Sequence, residues 1–294
     1  MEINYSVKIV AIAIALLAGL CSAQAQRVGF AYWDVERLYD TIPSPFYDDT
    51  AFTPGGRMGW TAERYRRKVE AVAAVVDSLA MPVTVLYGVE NEAVVRDVAA
   101  ACRSDYSYLH LTLDTRNGLE FAVLYYGDAV MVERAERYRR NVMIHCRIAG
   151  RRMVLVLSCY AVDAERMAAR VRRDDAGVAL IVMGRQTPAK MTRLGLNDAF
   201  AAEERAGRGQ RLRGGVWRFD ERICTDTMLT VRAAVYARRE LFDPVTSAPR
   251  PTFTARGYAG GVSRSLPLAV IAEWPDEAAR GEKNGEKVGV VEKF

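Results

Sequence analysis

Hydrophobic positions along this chain switch repeatedly between a strand-like and a helix-like spacing. The stretch "RVGFAYWDV" (27–35) is a short apolar and aromatic run and reads as a first strand. In "TAERYRRKVEAVAAVVDSLA", Tyr65, Val69, Val72, Val76 and Leu79 form one helical stripe, with Thr61 as its cap and Glu63 in the first turn. "MPVTVLYGV" predicts a buried strand and "ENEAVVRDVAAAC" a helix. "GLEFAVLYY" and "VMIHCRIAGRRMVLVLSCY" supply three more strands, the latter two joined as a hairpin at Ala149–Gly150. "DAERMAARVRR" predicts a helix, "GVALIVMG" (177–184) a continuous apolar strand, and Leu266 to Ile271 a strand near the end. Strands that are apolar on both faces, mixed with helices, predict a layered α/β sandwich. No internal repeat is visible, and "DEAARGEKNGEK" opens a polar tail (276–294) that is expected to be mobile.

The first residues obey a different rule. Lys8 precedes an apolar run from Ile9 to Leu20, which is too short for a comfortable membrane span, and "SAQA" places small residues before a cut after Ala25. Residues 1–25 are therefore expected to be a signal peptide, and 26–275 an exported domain, periplasmic or secreted. Leu20 is a poor neighbour for a lipidated Cys21, so a lipoprotein is the secondary reading. No other apolar stretch approaches this length, so no transmembrane segment is expected.

Composition narrows the class only a little. The chain has 294 residues, 50% hydrophobic and 26% charged, enough for one large core or two small ones. Its formal charge of +5 is mild. The densest basic stretch lies between Arg134 and Arg152, but acids interleave elsewhere, so a solvated face is expected there and a nucleic-acid partner is not. Cys102, Cys146, Cys159 and Cys224 lack the paired spacing of a zinc site. Export permits disulfides, but Cys146 and Cys159 do not fall opposite one another across the predicted hairpin, and four free buried thiols are expected.

Six separate pieces, in order, follow one series of motifs. "WDVERLYD" (33–40) resembles W-N-V-E-N-L-F-D, and "FTPGGRMGWTAERYRRK" (52–68) resembles the loop and helix that follow it. "LYGVEN" (86–91) is similar to L-x-E-V-E-N, and "YLHLTLDTRNGLEFAVLY" (108–125) to the segment holding D-x-R-G. "VWRFDERI" (216–223) resembles W-x-x-I-D-x-I, and "GGVSRSLP" resembles G-G-x-S-D-H-x-P. Together these pieces resemble the endonuclease/exonuclease/phosphatase superfamily in its exported bacterial branch, and the resemblance runs from about Val28 to about Trp274. It implies a four-layered α/β sandwich and hydrolysis of phosphoesters by water activated at a carboxylate–histidine set, with Mg²⁺ or Mn²⁺ polarising the phosphate.

The residues that such chemistry needs are missing from their places. The opening asparagine is Asp34, and the metal-binding glutamate falls on Gly88, although Glu90 and Asn91 follow it. Cys159 stands at the first catalytic histidine. The G-D-F-N-D loop reads "GRQTP", so its acid is Arg185, its asparagine Thr187 and its second acid Pro188. The final Asp-His pair is Arg264 and Ser265, and neither histidine of the chain, His110 or His145, lies at a matching position. The expectation is a protein with no metal cofactor that has lost hydrolysis. Arg185 and Arg264 are expected to converge on the former cleft, with Arg116 nearby and Asp34, Glu90 and Asp220 around them, and to hold a small anion or phosphorylated ligand bidentately. The bland alternative pairs these arginines with surviving acids such as Asp34 or Glu120. An envelope protein partner is a further possibility. The rival reading is a working hydrolase with a site rebuilt from Asp34, Glu36, Glu90, Asp114, Glu120 and Asp220, or with Cys159 as nucleophile.

Overall fold

Alternation within the central strands sets the layers. In β1 (Arg27–Leu38), Phe30 and Tyr32 face one side, while Ala31, Trp33 and Val35 face the other, and both sets are buried. A strand covered on both faces must lie inside a stack, between helices and a second sheet. The computed structural model describes residues 27–275; the expected signal peptide and polar tail lie outside the described residues.

β1 pairs in parallel with β2 (Val83–Val89) and antiparallel with β16 (Leu268–Glu273). With β3 (Ser107–His110), β4 (Glu120–Tyr125) and β13 (Thr230–Val235), they form a six-stranded sheet in the order β13-β16-β1-β2-β4-β3. A second six-stranded sheet runs β5 (Val130–Tyr138), β6 (Asn141–Ile148), β7 (Arg151–Ser158), β8 (Ala179–Gly184), β12 (Arg222–Asp226) and β9 (Leu196–Asp198). Its β7 and β8 are its parallel pair. Each parallel pair needs a crossover, supplied by α1 (Ala62–Leu79) in the first sheet and α3 (Ala161–Asp174) in the second. Two short hairpins stand apart from the sheets: β10 (Arg211–Arg213) with β11 (Val216–Arg218), and β14 (Phe253–Thr254) with β15 (Gly257–Tyr258).

Helix α1 buries Val69, Val72, Val76 and Leu79 against Trp33, Val35 and Leu86, together with Val94 and Val98 of α2 (Glu92–Ala101). On the far side, Met167, Ala168 and Val171 of α3 and Met191 of α4 (Pro188–Thr192) cover Val154, Val156 and Val182. Between the sheets, Phe30, Tyr32 and Phe121 meet Leu155, Leu157, Ile181 and Met183. The order helix, sheet, sheet, helix is the expected four-layered α/β sandwich.

Local signals read from the sequence hold where they are backbone chemistry. Thr61 accepts from the Arg64 amide and caps α1. Ala149 and Gly150, at φ 51° and 76°, turn the β6–β7 hairpin, because a two-residue turn that follows strand twist needs positive φ at both positions. The arginine-rich stretch presents the expected solvated face: Arg134, Arg137 and Arg139 are exposed on and beside the edge strand β5, and Arg147 and Arg152 on β6 and β7. The cysteines are free, with Cys146, Cys159 and Cys224 buried and Cys102 only half-buried. Among the described residues, no helix is long and apolar enough to cross a membrane.

Candidate functional site

The carboxyl end of β1 carries the site, and its backbone is unusual. Glu36 and Arg37 have φ values of 50° and 43°, and the pairing with β2 shifts register between Asp34 and Leu38. This bulge turns Asp34 and Glu36 toward different partners. One oxygen of Asp34 accepts the Glu36 amide at 2.9 Å, and the other accepts Nη2 of Arg211 at 3.0 Å. Ser263 ties the same segment to the C-terminal loop by donating its hydroxyl to the Asp34 carbonyl at 2.6 Å.

Arg211 belongs to none of the motif positions, yet it holds the centre of the site. It stands on β10, the first strand of the β10–β11 hairpin. Its side chain is only 11% exposed, and its Nη1 lies 3.1 Å from Asp220, which also pairs with Arg213. One guanidinium group therefore bridges Asp34 and Asp220. A largely buried cation between two acids is well paired, and removing it would leave Asp34 without a cationic partner while Asp220 kept Arg213.

The structure also moves the acid of the "VWRFDERI" motif by one residue. Phe219 and Ile223 lie in the core between the sheets, and Glu221, in the bend just before β12, is buried between them in the chain. Glu221 is buried, and its carboxyl pKa is pushed up to about 7 by burial, with the Asp34 charge adding to the effect. Among the described residues its carboxyl oxygens find no hydrogen-bond donor; Nε of Arg185 lies 3.5 Å away, with its own side chain 51% exposed. Asp220 points instead to the arginines of the hairpin. The second acid of the quoted motif, next to Asp220, is the sequence signal for Glu221; Arg211 carries none, because its three-residue strand has no motif.

Arg264 and Arg185 do not converge on a common partner. Arg264 grips Glu36, with Nε at 3.0 Å and Nη2 also bonded, and the Glu36 carboxylate accepts the backbone amides of Thr252 and Arg264 as well. Beneath that pair, buried Lys68 donates to the Glu36 carbonyl, and burial lowers its pKa to about 7. Ser265 offers no base: its carbonyl accepts Trp33 Nε1 at 2.7 Å, its amide bonds Ser263 Oγ, and its own hydroxyl is buried without a partner among the described residues.

The remaining motif positions serve the fold. Glu90, pushed up to about 7 chiefly by burial, accepts the Asp40 amide at 2.6 Å and the Tyr47 hydroxyl at 2.9 Å, so it pins a loop. Asn91 caps α2 through the Val94 amide. Cys159 donates to the Arg140 carbonyl, and burial raises its thiol to about 12, which leaves no thiolate for nucleophilic attack near neutral pH. Gly184 has φ 107°, and a Cβ there would stand 2.2 Å from the Ser158 carbonyl oxygen. Thr187 and Pro188 start α4, where proline is favoured and an acid is not needed. His110 is buried against Glu120 at 2.8 Å, and His145 sits beside Arg134 and Glu136. Arg116 is exposed on the 111–119 loop.

Gly88 has φ 89°, and a Cβ there would lie 3.2 Å from Asp34 Oδ1. Gly88→Ala is therefore expected to lower stability by about 1–3 kcal/mol, read as a lower denaturation midpoint, since L side chains are strained in that region. An unchanged midpoint would show that this end of β2 relaxes freely.

In front of Glu36 and Asp34 lies a cavity of about 810 Å³. Arg37, Arg57, Arg211, Arg213 and Arg264 line it, no acid does, and Met58, Leu212 and Phe253 supply apolar wall. Arg185 and Arg116 are not part of it.

Comparison with known proteins places this architecture. Residues 29–173 match the sequence family described as the Endonuclease/Exonuclease/phosphatase family. No curated protein matches the chain. Among solved structures, an endonuclease/exonuclease/phosphatase family protein from Bacteroides thetaiotaomicron is 12% identical over 86% of this chain and 96% of its own, with a TM-score of 0.58. A second, from Bacteroides vulgatus, is 10% identical over 85% and 100%, at 0.56. A Bacteroides thetaiotaomicron mannosyl-6-phosphatase is 12% identical over 84% and 100%, at 0.54. At such identities the structures speak for the fold alone: residues 29–173 carry the family match, and the described chain has the architecture of endonuclease/exonuclease/phosphatase structures.

Proposed function

We propose that this chain is an exported, non-hydrolytic member of its superfamily, which holds an anionic ligand or a partner in the former catalytic cleft instead of cutting a phosphoester. The observation that carries this reading is Arg211, which neutralises Asp34 and Asp220 together at 3.0 and 3.1 Å. A divalent ion needs several free oxygen donors, and these acids are already committed to guanidinium groups. Glycine in the left-handed region replaces the family's metal-binding glutamate at position 88. Among the described residues, no three His, Cys, Asp or Glu side chains gather so as to hold a metal ion. The donor set does not fit Mg²⁺ or Mn²⁺. Export is supported by the basic start, apolar core and small-residue cut site of the first 25 residues.

The test is turnover of DNA, a phosphodiester dye and mannose 6-phosphate, with Mg²⁺ or Mn²⁺ and with EDTA; the sugar phosphate is included because one structural neighbour is a mannosyl-6-phosphatase. No rate above the blank is expected, because residues that act as a unit lose orders of magnitude together. Metal-dependent turnover that disappears in Asp34→Ala would overturn the proposal.

A further inference from the structure

We infer that the arginine-lined cavity binds an organic phosphate or sulfate, through Arg37, Arg57, Arg213 and Arg264, without a metal. This rests on the non-hydrolytic reading above and names its ligand class and its site. Arg185, expected from the sequence to share the task, lies outside the cavity.

Charge balance gives the first argument. Among the ion pairs made by the five lining arginines, Arg211 and Arg213 are met by Asp34 and Asp220, and Arg264 by Glu36. Five guanidinium groups face three carboxylates, which leaves two positive charges facing the solvent of one cavity. A phosphate monoester carries close to two negative charges at neutral pH, and a guanidinium fork matches the oxygens of phosphate or sulfate.

Preorganisation gives the second. The Arg264 side chain is 45% exposed although it is held by Glu36, so its outer edge remains available while its position is fixed. Arg37 is placed by the left-handed bulge of β1 and lies 5.5 Å over the Phe52 ring. Phe253 is braced by Phe52 and Trp60, each at 5.1 Å. Arginines fixed by the fold lose less freedom on binding than mobile ones.

The cavity's shape and lining give the third. About 810 Å³ is far more than an inorganic ion fills and lies in the range of small-molecule sites. Met58, Leu212 and Phe253 offer contact to the ligand's organic body. The ligand is therefore an anionic group on a compact carbon skeleton.

Calorimetric titration of the full protein with inorganic phosphate, inorganic sulfate, glucose 6-phosphate and glucose 6-sulfate, each with and without EDTA, tests this. Arg37→Gln/Arg57→Gln is the main variant, since neither residue holds a buried acid, and Arg116→Gln is the control. The organic esters are expected to bind at least tenfold tighter than the inorganic ions, independently of EDTA. The double variant is expected to lose at least tenfold in affinity, and Arg116→Gln to match wild type. Equal binding of ester and inorganic ion overturns the organic class, and a double variant that binds like wild type overturns the site. Binding abolished by EDTA overturns the metal-free mode. Absence of both binding and turnover sinks this inference alone, whereas turnover of the ester sinks the non-hydrolytic reading beneath it.

Discussion

Arg211→Met is expected to lower stability by about 3 kcal/mol, the low end of the cost of stripping one partner from a buried ion pair, because the three side chains keep 11–17% exposure and Asp220 keeps Arg213. In thermal unfolding this is a fall of roughly 10 °C for a domain of this size. Methionine keeps most of the side chain's length and removes only its charge and hydrogen bonds, so the loss reads the electrostatics of Asp34 and Asp220. Asp34→Asn, which restores the residue type of the family motif, is expected to recover part of the loss in the Arg211→Met background. In the wild-type background it is expected to be destabilising. That sign reversal is a coupling energy between two contacting residues. A cost below about 1 kcal/mol for Arg211→Met, as for an exposed ion pair, would mean that the network is a surface feature and that the case against a metal is weaker.

The second large effect follows pH. Glu221 and Glu90 ionise near 7 in the folded protein, against 4.5 for an unperturbed glutamate, because burial opposes the charge. Between these pH values the folded state holds protons that the unfolded chain has released. Their contribution to stability is therefore complete below 4.5 and is lost as pH rises through about 7. For Glu221 the shift corresponds to about 3 kcal/mol at most. Wild type is expected to melt several degrees lower at about pH 7.5 than at about pH 5, and Glu221→Gln to remove a large part of that slope. Parallel profiles for wild type and variant would show that Glu221 is not the group responsible. Lys68 acts in the opposite sense: its folded pKa of about 7 lies below the 10.5 of an unperturbed lysine, so stability recovers as pH rises from about 7 toward about 10.

Much of the architecture is legible in advance, because it rests on local periodicity. The α1 stripe, its Thr61 cap and the apolar runs of β2, β7 and β8 each follow from spacing that one element imposes on its own residues. Elements without such spacing are harder to read. β5 is an edge strand whose charges come as adjacent pairs, Glu133–Arg134 and Glu136–Arg137, so its hydrophobic alternation is faint. The three-residue strands of the β10–β11 hairpin are too short to show a period at all.

The site divides in the same way. The sequence alone determined which residue types are present, and the resemblance expects Gly88, Cys159, Arg185, Thr187, Arg264 and Ser265 at the chemical positions of the family. Which acid each arginine meets was decided only by the tertiary structure. Arg264 meets Glu36 across 228 positions and Arg211 meets Asp34 across 177, distances over which sequence spacing carries no geometric information. The bulge that aims Glu36 away from Asp34 is a backbone event, and the burial that lifts Glu221 comes from a second sheet stacked over the first. Residue identity fixes what chemistry is available to this cleft; the stacking of its layers fixes which charges are cancelled and which are left facing the cavity.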